Sequence, residues 1–204
     1  MYVSKRNRNP DATRAALIAA ATPLFRRRDF PDVSAEEIVA AAGVTRGALY
    51  HHFGGKEGLF AAVVEAAMKD LHDRISSAAR AGTSPAAALE AGIREFLRLA
   101  AQEGTRHLLF VNAPAVLGWT AWRDMDARYG LGLLEQAFAG LKQKGQLAGK
   151  TPRLAAQILL AAMIEGAMVM ATSRKKAVRA ETETHLMAVL HALTGKPPER
   201  QEKS

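Results

Sequence analysis

The sequence predicts an all-α protein in which a three-helix N-terminal head precedes a larger helical bundle. Two observations carry this. Apolar side chains recur three and four apart along most of the 204 residues, and no convincing strand pattern interrupts them. Near residue 43 two short helices flank a glycine turn, with one helix before them and a long one after. Hydrophobic residues make up 49% of the chain, enough for a core, and the length suits one large or two modest domains. The expected divisions are 1–56 for an N-terminal arm and the head, 57–195 for the bundle, and 196–204 for a disordered tail.

The opening MYVSKRNRNP is basic but lacks the apolar core of a signal peptide, so secretion is not expected. Lys5, Arg6 and Arg8 make it a candidate arm for phosphates or the minor groove. Asp11 or Thr13 starts the first helix, which buries Ala16, Leu17, Ala20, Leu24 and Phe25, and Pro23 should bend its last turns. Arg26, Arg27 and Arg28 then complement the negative end of the helix dipole.

The densest signal is SAEEIVAAAGVTRGALYHHFGGK, Ser34 to Lys56. Ser34 and Glu37 form a capping box, Ile38, Val39 and Ala42 share one face, and Gly43 supplies the left-handed residue that ends the helix. Thr45 caps the next helix, which runs to about His52 with Leu49 and Phe53 inward. Arg46, Gly47, Tyr50 and His51 are left facing outward, offering a guanidinium fork, a hydroxyl and an imidazole to base edges and phosphates. Gly47 weakens so short a helix, and closer backbone approach to a duplex is the compensating benefit. After Gly54 and Gly55 a new helix opens at Lys56, where free N–H groups and the lysine charge suit a phosphate. A helix, a short turn and an exposed second helix make a DNA-reading unit. Charge agrees: residues 1–56 hold nine Lys/Arg against five Asp/Glu, +4, while the other 148 residues also total only +4.

AGVTRGALYHHFGGKEGLF resembles the DNA-binding domain of the tetracycline-repressor (TetR) family of bacterial transcriptional regulators, and the likeness extends over about residues 10–65. The resemblance implies that Thr45, Tyr50 and Lys56 contact phosphates, that Arg46, Gly47, Ala48 and His51 lie nearest the bases, and that His52 serves packing and at times a phosphate. Asp29 stands where the family usually has glycine, which a left-handed Asp would tolerate, and Val39 where alanine is common. It further implies a cytoplasmic homodimer, most often a repressor, that binds near-palindromic double-stranded operator DNA and responds to a small-molecule effector.

Behind the head, a helix from Lys56 to about Ala81 bears Leu59, Phe60, Val63, Val64, Met68, Leu71 and Ile75 at helical spacing, and another runs from Ser84 or Pro85 to about Glu103. Residues 104–130 are the least regular. A short helix is expected over His107–Val111, then a break at Pro114, then a helix with Trp119, Trp122, Met125 and Tyr129 three or four apart. That stripe, with Met163, suits a pocket for an apolar or aromatic effector with His107 and Asn112 as polar anchors. It suits ordinary core packing equally well. Leu154–Thr172 is the most apolar stretch and approaches membrane-spanning length, but Gln157 and Glu165 favour a helix buried in protein, and no membrane partner is expected. Thr182–Leu193 forms a last amphipathic helix, and the resemblance implies that these two helices make a four-helix dimer interface through Ala162, Gly166, Met170, Leu186, Val189, Leu190 and Leu193. Arg174, Lys175, Lys176 and Arg179 between them are expected to be a solvated connection.

Enzymatic chemistry finds little footing. His51 and His52 diverge by about 100° on a helix and cannot share one metal, while His185 and His191, six apart, lie on different faces. Asp124 and Asp126 also diverge, and no glycine loop follows a strand to cradle a phosphate. Without cysteine there is no disulfide or thiolate site. No catalytic residue, metal or cofactor is expected.

Overall fold

Local capping builds the head. The computed structural model of the chain describes residues 10–149, 151–173 and 175–195, so the expected arm with Lys5, Arg6 and Arg8, Arg174 of the basic connection, and the 196–204 tail lie outside the described residues. Helix α1 (Pro10–Phe25) turns Leu17, Ala21 and Phe25 inward. A 3-10 turn, Phe30–Asp32, leads to α2 (Ala35–Ala42), where the Ser34 hydroxyl accepts from the Glu37 N–H at 3.0 Å. The other half of the expected capping box is replaced, because the Glu37 carboxylate engages Arg28 at 2.7 Å. Gly43 closes α2 at φ 61°, ψ 37°, the left-handed conformation an L residue adopts only at a cost. Asp29 differs from expectation: it is extended, at φ −65° and ψ 151°, and begins the 3-10 turn instead of adopting a left-handed bend. Phe25 and Phe30 each pack edge-on against Phe60, with centroids 4.9 Å and 5.1 Å from it.

Helix α3 (Arg46–Phe53) comes next, and α4 (Lys56–Ala79) crosses from the head into the bundle. At 24 residues α4 spans about 36 Å. The bundle continues with α5 (Pro85–Ala100), the single turn α6 (Glu103–Thr105), a π-helical segment (Arg106–Asn112), α7 (Ala113–Leu117), α8 (Trp119–Gln143), α9 (Pro152–Thr172) and α10 (Lys176–Leu193). Helix α4 lies against α5 and α8, and α9 lies between α8 and α10. No strand occurs among the described residues, and the all-α expectation holds.

Three local expectations change. The short helix over His107–Val111 is a π-helix, whose extra residue per turn re-aims the side chains on either side of it. The break falls at Gly118, φ 81°, and not at Pro114, which follows directly on the π-helical segment in a run that stays helical from Glu103 to Leu117. Helix α10 starts six residues before the expected Thr182, with Lys176 and Arg179 of the basic run in its first turns. Pro152–Thr172 is long and apolar enough to cross a membrane by composition, yet half of it is buried in the bundle.

Candidate nucleic-acid interface

Helix α3 is capped and anchored so that one side faces solvent. The Thr45 hydroxyl accepts from the Ala48 N–H at 3.2 Å, and Gly54 ends the helix at φ 73°, its N–H donating to the Tyr50 carbonyl at 2.8 Å. Leu49 is fully buried, and Phe53 packs inward under the Arg14 guanidinium, 5.2 Å from its ring centre. Arg46, Gly47 and His51 are exposed, Tyr50 is 49% exposed, and Ala48 and His52 are half-buried. A Cβ at Gly47 would meet only the Thr45 hydroxyl, at 3.8 Å, so the protein's own packing does not require glycine there. At Gly58 it does: a Cβ would fall 1.9 Å from the Phe53 carbonyl oxygen, where α4 starts beneath the end of α3.

Electrostatics on this face are partly self-satisfied. Arg46 pairs with Glu36 at 2.6 Å and stands 3.4 Å from the Tyr50 hydroxyl; the Tyr50 contact first, and then the Glu36 charge, raise its pKa further above the ordinary guanidinium range. Lys56 was expected to present its charge to a phosphate. Its ammonium is instead half-buried, donating to the carbonyls of Phe30 and Val33 at 2.9 Å each, and lies 4.1 Å from the Phe30 ring centre. The clasp ties the start of α4 to the 3-10 turn ahead of α2. The α4 N-terminus itself, opened by Gly55, carries no side-chain cap.

Family comparisons match this geometry in both halves. Residues 17–63 match the model of bacterial regulatory proteins of the tetR family, and residues 86–193, more than half the chain, match the tetracyclin repressor-like C-terminal domain. The chain belongs to the TetR family. The transcriptional repressor BepR of Brucella suis biovar 1 is 32% identical over 162 residues, covering 73% of this chain and 76% of that protein. The regulator LmrA of Bacillus subtilis is 31% identical over a shorter stretch, 41% of this chain and 45% of that one. A solved TetR-family regulator from Pectobacterium atrosepticum superposes with a TM-score of 0.83 at 30% identity, covering 92% of this chain and 97% of the other. RolR, solved with resorcinol bound, shares the fold at 17% identity, TM-score 0.69, over 92% and 95% of the two chains. This TetR-family chain is a DNA-binding transcriptional regulator with a helix-turn-helix head.

The residues expected to line an effector pocket do not converge. Met163 lines a part-open apolar cavity of about 100 Å³ between α4, α5, α8 and α9, together with Ile75, Ala79, Leu89, Gly92 and Leu134. Trp122 is fully buried against Phe110 and Trp119, and Met125 is buried, which is core packing, while Trp119 is 52% exposed. Asn112 and His107 do not line that cavity: Asn112 Nδ2 donates to the Arg28 carbonyl at 3.2 Å, and His107 Nε2 lies 3.4 Å from the Asp29 carboxylate. The π-helical turn thereby aims both side chains at the head. Tyr129 donates its hydroxyl to Glu65 at 3.1 Å, and its pKa is raised, first by burial and then by that carboxylate.

The expected dimer residues divide similarly. Ala162, Gly166, Leu186 and Val189 line an open groove between α9 and α10. Met170 and Leu190 are buried in the protomer's own core, and Leu193 is half-buried against it. Gly166 serves an approach within the chain, since a Cβ there would meet the Thr182 methyl at 2.7 Å. Sequence reasoning passed over Leu154, Ile158 and Val169, exposed at 55%, 46% and 43% along α9, although their spacing of four and eleven already placed them on one face. It also missed a buried pair, His72 on α4 and Asp126 on α8, 3.4 Å apart, because His72 falls among apolar residues and looks like one of them by position.

Proposed function

We propose that two copies of this chain pair through α9 and α10 and set two α3 helices into successive major grooves of a near-palindromic operator, and that a small apolar or aromatic effector releases the repressor. The exposed face of Arg46, Gly47, Tyr50 and His51 carries the DNA reading, because these side chains have no role in the protomer's core. Phosphate contacts fall to Thr45, Tyr50 and the uncapped start of α4, with Lys56 organising that start; Arg46, Gly47, Ala48 and His51 are nearest the bases and His52 packs behind them. Pairing is supported by the apolar stripe of Leu154, Ile158 and Val169 beside the groove lined by Ala162 and Val189.

The effector reading rests on the cavity at Met163. At about 100 Å³ it is smaller than the ~150 Å³ engineered void that admits benzene, so a single-ring occupant must push its walls outward. That requirement is what a switch needs, because a ligand moves an equilibrium only by binding one state better than the other. The movable wall is α4, and α4 carries the head.

The test is fluorescence anisotropy with DNA fragments from upstream of the chain's own gene and with random duplex. The expected result is tight binding to one fragment, at least about 10³-fold over random duplex, and loss of that preference in Tyr50→Ala. Equal affinity for both duplexes contradicts sequence-specific reading. Sedimentation of Ile158→Glu tests the pairing: a monomer is expected, and an unchanged dimer places the interface elsewhere.

A further inference from the structure

The basic connection between α9 and α10 does more than face solvent. Among the described residues, Arg106 from the π-helical segment, Lys175, and Arg179 from α10 line one cleft of about 420 Å³, with Glu103 as the carboxylate lining it. None of these three cations has a described carboxylate within 4.0 Å, whereas eight Lys or Arg pairs with a carboxylate are formed across the described residues. Arg106 is held in place: its Nη1 donates to the Ala171 carbonyl at 2.8 Å, near the end of α9. Helix α10 opens at the same cleft with no side-chain cap and no acid in its first turn, adding the positive end of an 18-residue dipole. Met170 and Val178 give the cleft an apolar wall.

Bringing like charges together around an apolar-walled cleft costs free energy unless a counter-charge occupies it. We propose that this cleft is a second ligand site, distinct from the apolar cavity, and that it takes a small amphipathic anion, a carboxylate or phosphate head on a short hydrocarbon body. The volume lies within the range of small-molecule pockets and about fourfold above the Met163 cavity. The anionic head sits between Lys175, Arg179 and the Arg106 guanidinium, and the hydrocarbon lies on Met170 and Val178. Such an occupant acts on the head by a short route. Arg106 begins the segment that ends at Asn112, whose amide donates to the Arg28 carbonyl, and whose His107 lies beside Asp29, so a ligand that draws Arg106 off the Ala171 carbonyl shifts the piece that meets the head. This regulatory half rests on the proposed DNA binding; the binding half does not.

Isothermal titration of the full chain with octanoate and with octyl phosphate, and with octanol as the neutral control, decides the binding. Saturable heats for at least one anion are expected, which of the two being the arm that separates carboxylate from phosphate, with no saturation by octanol. The charge-reversed double variant Lys175→Glu with Arg179→Glu changes two exposed side chains, leaves the Arg106 hydrogen bond intact, and is expected to weaken anion binding at least tenfold. Equal binding of octanol, an unchanged affinity in the double variant, or no heat from either anion overturns the site. Anisotropy on the upstream fragment, with and without saturating anion, then reads the coupling: a shift in DNA affinity of threefold or more is expected, and no shift overturns the regulatory half alone. Should the chain bind no DNA at all, the proposed function fails while the calorimetry still decides the cleft.

Discussion

Replacing Lys56 with methionine keeps the length of the side chain and removes its charge, which separates two roles the residue can have. Its ammonium donates two hydrogen bonds of 2.9 Å to the Phe30 and Val33 carbonyls and lies over the Phe30 ring at 4.1 Å. Charge-assisted bonds contribute about 1.5 kcal/mol each at the lower end that a half-exposed group merits, and the ring contact adds about 0.5 kcal/mol. Side-chain freedom regained by the variant offsets about 1 kcal/mol of that. The net loss is about 2–3 kcal/mol, and for a chain of this size it lowers the melting temperature by about 5–10 °C. Differential scanning fluorimetry measures the shift, and urea unfolding checks that it is a free-energy change. A Lys56→Met variant that melts within a degree of the parent refutes the clasp and returns the lysine to the expected role of a phosphate contact, in which case the slope of DNA affinity against salt falls by about one ion. A clasp predicts that the variant, held below its melting point, keeps most of that slope.

Other perturbations have simpler readings. Thr45→Ala removes the oxygen that accepts from the Ala48 N–H and is expected to cost about 1 kcal/mol in urea unfolding, with DNA affinity falling as α3 frays. Trp122→Ala empties a fully buried position and should cost about 3–5 kcal/mol; a loss below about 1 kcal/mol would show that the surrounding aromatics collapse into the space. Arg98 holds the Glu95 carboxyl below its ordinary pKa of 4.5 through a hydrogen bond that outweighs the opposing effect of burial. The folded pKa being lowered, this pair stabilises the fold at neutral pH and ceases to as pH falls through the lowered value, so urea midpoints of the parent and Glu95→Gln should differ slightly at about pH 7 and converge once the pH is below that lowered value.

How far the sequence reaches depends on whether the deciding interaction is local. Ser34, Gly43 and Thr45 each act within five residues, and the structure places both helices of the recognition unit where those residues imply. Leu49 inward and Tyr50 outward come from the same short-range geometry. Long-range partners were not legible. Asn112 and His107 are polar residues in an apolar stretch, which reads as pocket anchorage, yet Asn112 bonds a carbonyl 84 positions away. The Lys56 charge has the same history, its acceptors lying 26 and 23 residues back. A π-helix cannot be separated from an α-helix by composition, since the same residues serve either, and its offset is what turned the two polar side chains away from the bundle interior.

That offset makes the joint between the two halves depend on a number of residues more than on their kind. Deleting one residue between Arg106 and Asn112 lets the segment close as an ordinary helical repeat and changes which side chains of that turn face the head, so the Asn112 contact with the Arg28 carbonyl depends on the extra residue being there. Point substitutions there leave the phase intact. Relatives whose heads sit at another angle to the bundle are therefore expected to differ here by insertion or loss of a single position.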